Sequence, residues 1–180
     1  GVTTAPMRWL VWRWGTELGL NQTVMLQILR EYQGLPHRCE LVADIDGVRY
    51  VNDSKATNTG AAIAALEGLG QSRNILLIAG GQGKGADFSI LHKAVAEFCK
   101  AVFLLGEDAA VLESALDGAA PLHRVGTLSD AVSQVAAVAV SGDVVLLSPA
   151  CASFDMFESF EHRGDCYRDA VLAQPVGGVH

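Results

Sequence analysis

No apolar run in this chain approaches the ~20 residues that a membrane-spanning helix needs. The hydrophobic stretch from Met7 to Trp14 is broken by Arg8 and Arg13, so it reads neither as a span nor as a good signal peptide. Charge is scarce: 18% of the residues carry it, and the net balance is -7. An acidic excess disfavours a global attraction to DNA, RNA or an anionic membrane and leaves only local basic loops for anions. Cys39, Cys99, Cys151 and Cys166 lie far apart with no C-x-x-C pair, which argues against a zinc knuckle or a disulfide framework. Reduced thiols in a cytoplasmic, monomeric protein are the expectation. Two nucleotide signatures are also missing. No G-x-G-x-x-G follows the first strand, which removes the case for a dinucleotide-binding enzyme. A P-loop, G-x-x-x-x-G-K-[ST], fails twice: Ile78 stands at its first glycine and Gly85 at its Ser/Thr.

What is present is a core. Half of the 180 residues are hydrophobic, enough for one ordinary domain plus a remnant of another. Thr23 to Glu31 has helical periodicity, with Asn21 or Thr23 as its cap. Arg38–Ile45 and Val48–Val51 flank Asp46-Gly47, the signature of a type I′ hairpin. Strands and helices then alternate. Strands are expected at 74–79, 101–105, 123–125 and 144–147, and helices at 59–69, 88–98, 107–116, 128–140 and 155–172. Continuous apolar runs such as Ile75 to Ala79 suit strands buried on both faces. The pattern predicts an α/β fold: a doubly wound, Rossmann-like, mostly parallel sheet with helices on both faces and an antiparallel hairpin at its start.

Ligands of open α/β sheets sit outside the carboxyl ends of the strands. Three loops leave such ends with unusual composition. Asn52-Asp53-Ser54-Lys55-Ala56-Thr57-Asn58 packs charges, hydroxyls and amides before a helix N-terminus, where backbone N–H groups favour an anion. Thr57 or Asn58 would also serve as a plain helix cap, but capping needs one such residue, not seven. Gly80-Gly81-Gln82-Gly83-Lys84-Gly85 offers close backbone approach and a cation at its tip, or simply a flexible turn with a solvated lysine. Ser148-Pro149-Ala150-Cys151-Ala152-Ser153-Phe154-Asp155 leads into the last helix, with Ser153 or Asp155 as candidate caps. Cys151 as a nucleophile would need a base, and nothing in the sequence places His37, His92, His123 or His162 beside it. Phe157 and Phe160, at helical spacing, are more often core than ligand contacts.

Taken together, these loops, with Gly34-Leu35-Pro36-His37-Arg38 before them and Phe160-Glu161-His162-Arg163-Gly164 after them, resemble the C-terminal domain of the Mur ligases, in their D-glutamate-adding branch. The resemblance covers about Leu20 to Ala173. It implies an ATP- and magnesium-dependent amide ligase of peptidoglycan synthesis. Such a ligase phosphorylates the carboxylate of UDP-N-acetylmuramoyl-L-alanine and joins the acyl phosphate to the amine of D-glutamate. It further implies that Arg38, Asp53 and Lys55 face the nucleotide and the reacting phosphate, with Lys55 in the catalytic role. Thr57, Lys84, Ser153, Phe154 and Phe160 would line the D-glutamate site; Phe154 departs from the leucine common there. The chemistry agrees. A dicarboxylate needs donors and a fixed cation, which Lys84, Thr57 and Ser153 are, and Lys55 suits charge on a transferring phosphoryl group.

The same resemblance divides the chain into a remnant of the central ATPase domain, residues 1–35, and the C-terminal domain, residues 36–180. The P-loop and the magnesium ligands are expected on the central domain, so no metal ligand is expected on this chain, and the chain alone is expected to be inactive. Residues 1–15 do not match. Back-translated and read in a shifted frame they give an alanine-rich helix of the kind the resemblance implies, so a frameshift is expected there. A stand-alone module that holds an acidic amino acid without catalysis is the alternative reading.

Overall fold

The computed structural model describes residues 13–14, 16–21, 23–25, 27 and 34–174. The helix expected over 23–31 is therefore seen in part. Residues 23–25 and 27 are helical, and Asn21 Oδ1 accepts the N–H groups of Thr23 and Val24. The rest of that helix, most of segment 1–15 and the tail beyond Gln174 lie outside the described residues.

A six-stranded sheet organises the domain: β1 (Glu40–Ile45), β2 (Val48–Asn52), β3 (Ile75–Gly80), β4 (Cys99–Leu105), β5 (Leu122–Arg124) and β6 (Val144–Leu147). Its order is β1-β2-β6-β3-β4-β5. Only β1 runs antiparallel to its neighbour; the other pairings are parallel. Five α-helices cover it: α1 (Thr59–Leu69), α2 (His92–Phe98), α3 (Ala109–Ala115), α4 (Leu128–Val138) and α5 (Phe160–Leu172). Side chains alternate across the buried strands. Ile75, Leu77, Val102, Leu104, Val144 and Leu146 pack under α1, α2 and α3. Their strand neighbours Leu76, Ile78, Phe103, Leu105, Val145 and Leu147 pack under α4 and α5. Both faces are thus apolar, which is why these strands read as continuous hydrophobic runs. The expected doubly wound architecture is the observed one.

Differences sit at element ends, where side chains and loops capture the backbone. β1 begins at Glu40 rather than Arg38, because His37 and Cys39 have φ of 59° and 45° and cannot extend a strand. The turn at Asp46-Gly47 has φ of 53° and 78°, as a type I′ hairpin requires. The helix expected from Phe88 opens instead as a 3₁₀ turn, Ser89–Leu91, before α2. There the Asp87 carboxylate accepts both the N–H and the hydroxyl of Ser89. α3 starts late, with Asp108 as its non-helical N-cap, and the N–H groups of Glu107 and Asp108 go to Asp155 and to the Gly81 carbonyl. The largest correction is α5. It begins at Phe160, not near Asp155, and Ser159, not Ser153 or Asp155, caps it by accepting the His162 N–H. Residues 153–157 form a separate turn in which the Ser153 carbonyl accepts the N–H groups of Met156 and Phe157. Phe157 and Phe160 therefore do not share one helical face.

Candidate functional site

β2, β6 and β3 lie side by side and run parallel, so the three polar loops leave one edge of the sheet together. After β3 the chain turns to β4 and β5 on one side, while β6 returns on the other. The loops of β3 and β6 thus flank the switch point where such sheets bind ligands.

Staples hold the loops to one another. Gln82 and Ala152 exchange both backbone hydrogen bonds at 3.0 Å, and the Gly80 N–H donates to the Pro149 carbonyl. This closeness depends on Gly81, whose φ is 127° and whose missing side chain would run into the Ala152 carbonyl oxygen. The third staple is Arg163 on α5, only 2% exposed. Its Nε donates to Ser54 Oγ (3.0 Å), its Nη2 to the Ser54 carbonyl (2.9 Å) and its Nη1 to the Cys151 carbonyl (3.1 Å). Ser54 Oγ in turn donates to the Phe160 carbonyl. This buried guanidinium, with no ion-pair partner among the described residues, joins the first loop to the third, and burial pushes its pKa down to about 10.

Between the staples opens a cleft of about 370 Å³. Its wall includes Lys55, Thr57, Lys84, Ser153, Phe154 and Phe160, six of the eight residues singled out from the sequence. Asn58 also lines it and caps α1, accepting the Ala61 N–H (2.9 Å), so the capping and cleft roles coexist in one loop. Among the described residues no aspartate or glutamate lines the cleft. The Lys55 ammonium lies 3.7 Å from the centroid of the Phe160 ring, and that of Lys84 lies 5.3 Å from the Phe154 ring. Among the described residues no group of three or more His, Cys, Asp or Glu is placed to hold a metal ion.

Arg38 and Asp53 do not line this cleft. Arg38 is exposed. Asp53 is 7% exposed, with Oδ1 accepting the Cys39 N–H (3.2 Å) and Oδ2 accepting the Ser148 hydroxyl (2.9 Å). Its carboxylate thus ties the residues before β1 to the end of β6. Burial raises its pKa from 3.8 to about 6, against the opposing pull of these hydrogen bonds. A raised carboxyl pKa means that the folded state holds a proton the unfolded state has lost. Its stabilising effect is therefore complete below about pH 4 and is lost as the pH climbs through about 6. Asp53→Asn is expected to flatten the stability profile between pH 4 and 6 in urea unfolding; an unchanged slope would assign it to another group.

Cys151 is fully buried, and burial pushes its thiol up to about 12, so it is no nucleophile at neutral pH. Sequence reasoning missed Arg163 as a site residue. A signal existed: Phe160 and Arg163 stand at i,i+3, so both face the loops from the first turn of α5.

The profile of the family described as "Mur ligase, glutamate ligase domain" matches residues 37–151. The chain belongs to this family. It is 52% identical over 157 residues to the UDP-N-acetylmuramoylalanine–D-glutamate ligase of Nitrosococcus oceani, covering 87% of this chain and 35% of that protein. It is 54% identical over 159 residues to the corresponding ligase of Pseudomonas aeruginosa, covering 87% and 36%. The chain therefore spans about a third of the length of the curated relatives it matches. Among solved structures, the UDP-N-acetylmuramate-alanine ligase of Thermotoga maritima shares the fold with a TM-score of 0.62 at 13% identity, over 89% of this chain and 36% of that one. The bifunctional folylpolyglutamate synthase/dihydrofolate synthase of Yersinia pestis does so at 0.59 and 19% identity, over 82% and 34%. The family match ends at Cys151, yet the cleft of this Mur ligase domain is completed by Phe160 and underpinned by Arg163, both beyond that point.

Proposed function

We propose that this domain supplies the D-glutamate site of an ATP-dependent amide ligase of peptidoglycan synthesis. The ligase adds D-glutamate to UDP-N-acetylmuramoyl-L-alanine through an acyl phosphate. The observation that carries the reading is the cleft wall: two lysines, three hydroxyls and, among the described residues, no carboxylate. Such a wall favours a ligand with more than one negative group. The relatives, named as D-glutamate ligases at 52% and 54% identity, support the same choice of substrate.

Within this reading, Lys84 is the cation for a carboxylate of D-glutamate, and Thr57 and Ser153 offer it hydroxyl donors. Lys55, on the loop beside the α1 N-terminus, offsets charge on the transferring phosphoryl group. Arg38 is the exposed nucleotide contact. Asp53 faces the nucleotide and also ties the residues before β1 to the end of β6. ATP and magnesium enter through the family. The magnesium ligands are read as lying mostly on the central domain. Residues 1–35 are read as part of the central ATPase domain and 36–180 as the C-terminal domain. The chain is read as cytoplasmic and monomeric; among the described residues no helix is long and apolar enough to cross a membrane.

The test is phosphate release from ATP by the ligase that carries this domain. Release should require both UDP-N-acetylmuramoyl-L-alanine and D-glutamate, and indifference to D-glutamate would reject the substrate. Lys84→Ala removes a charge-assisted bond worth about 1.5–3 kcal/mol. The KM for D-glutamate should rise about ten- to a hundredfold, with kcat changing little. Unchanged kinetics would remove Lys84 from the site.

A further inference from the structure

Lys84 stands at the tip of a glycine loop, exposed, with φ of 52°. Among the described residues no hydrogen bond or carboxylate holds its ammonium; the recorded neighbour is the ring of Phe154, 5.3 Å away. Lys55 also lies against a ring, 3.7 Å from that of Phe160, but with the Glu161 carboxylate in electrostatic reach. The two cations come from different loops, but both rings belong to one segment, Phe154 to Phe160. That segment is fixed at each end. Ala152 pairs with Gln82 just before it, and Ser54 Oγ donates to the Phe160 carbonyl at its close (2.7 Å).

Phe154 is 65% exposed, so it contributes little to the core. A phenyl face does something that a carboxylate in its place would not. It attracts the ammonium through its quadrupole yet leaves the positive charge unneutralised and available to an anion. A free lysine on a glycine loop has many rotamers to lose on binding, and a ring that restricts it beforehand lowers that cost.

We propose that Phe154 is a positioning residue that holds Lys84 over the cleft. The ring keeps the Lys84 ammonium charged and placed for a carboxylate of the ligand. This rests on the assignment of the cleft to D-glutamate.

The test uses the chain itself, labelled for NMR. Without ligand, the Lys84 side-chain methylene signals nearest its ammonium should lie upfield from the ring current of Phe154. They should move to ordinary lysine positions in Phe154→Leu and stay upfield in Phe154→Tyr. Signals at ordinary positions in the unmodified chain overturn the contact. With ligand, Phe154→Leu should weaken D-glutamate binding two- to fivefold and leave unfolding by urea unchanged. Phe154→Tyr should restore the binding. In a Lys84→Met background, Phe154→Leu should have no further effect. An equal loss in that background means that Phe154 touches the ligand directly, which overturns the positioning role. Absence of any saturable response to D-glutamate overturns the substrate reading. The ligand-free Lys84 signals decide the positioning separately.

Discussion

Replacing Arg163 by methionine is expected to destabilise the domain by about 3–5 kcal/mol and to abolish D-glutamate binding. The side chain is buried and spans the base of two loops, donating to Ser54 Oγ, the Ser54 carbonyl and the Cys151 carbonyl. Methionine fills much of the volume but donates nothing, so two buried carbonyls and a hydroxyl lose a partner at once. Burying a guanidinium carries its own desolvation penalty, and removing it recovers part of the loss. The orphaned acceptors outweigh that recovery, because each costs about 1–3 kcal/mol. Arg163→Lys keeps the charge but not the fork, and one ammonium cannot reach acceptors in both loops with the same geometry. It should lie between the two, closer to methionine. Urea unfolding and D-glutamate titration check both variants. A lysine variant that matches the native chain would show that charge alone, not the fork, holds the loops.

The second large effect is expected at Gly81. Its φ of 127° lies where a side chain is strained, and a Cβ would collide with the Ala152 carbonyl oxygen. Backbone strain of this kind costs about 1–3 kcal/mol, and here the collision is with backbone rather than with a mobile side-chain tip. Gly81→Ala should therefore cost roughly 2–4 kcal/mol and part the Gln82–Ala152 pairing. Lys84 would then move away from Ser153 and Phe154. Amide exchange is a direct measure: the protected N–H groups of Gln82 and Ala152 should become fast, while those of β4 stay slow. Retained protection at both would mean that the loops tolerate the methyl group.

Much of this was legible before any coordinates. Thr59–Leu69 and Val144–Leu147 have the bounds expected of them, because periodicity and turn chemistry agree there. The gathering of Lys55, Thr57, Lys84 and Ser153 follows from the same pattern. Parallel strands put their exit loops on one edge, so polar composition after three strands points to one place. What escaped is non-local. Nothing around Ser54 or Cys151 announces that their carbonyls converge on a guanidinium from α5. Nothing around Asp53 announces that the Cys39 N–H and the Ser148 hydroxyl each donate to one of its oxygens. The start of α5 was misplaced for a similar reason. Asp155 looks like a cap in sequence, but its Oδ2 accepts the Glu107 N–H, 48 positions away.

On the proposed reading, the wall of the cleft, with two lysines and no carboxylate among the described residues, would also filter substrates by charge. A basic amino acid would bring a second ammonium toward Lys84. At about 4 Å, and at the effective dielectric of a site near the surface, two like charges repel by about 4 kcal/mol, close to a thousandfold in affinity. Lysine and ornithine would then be turned away by charge before shape is tested.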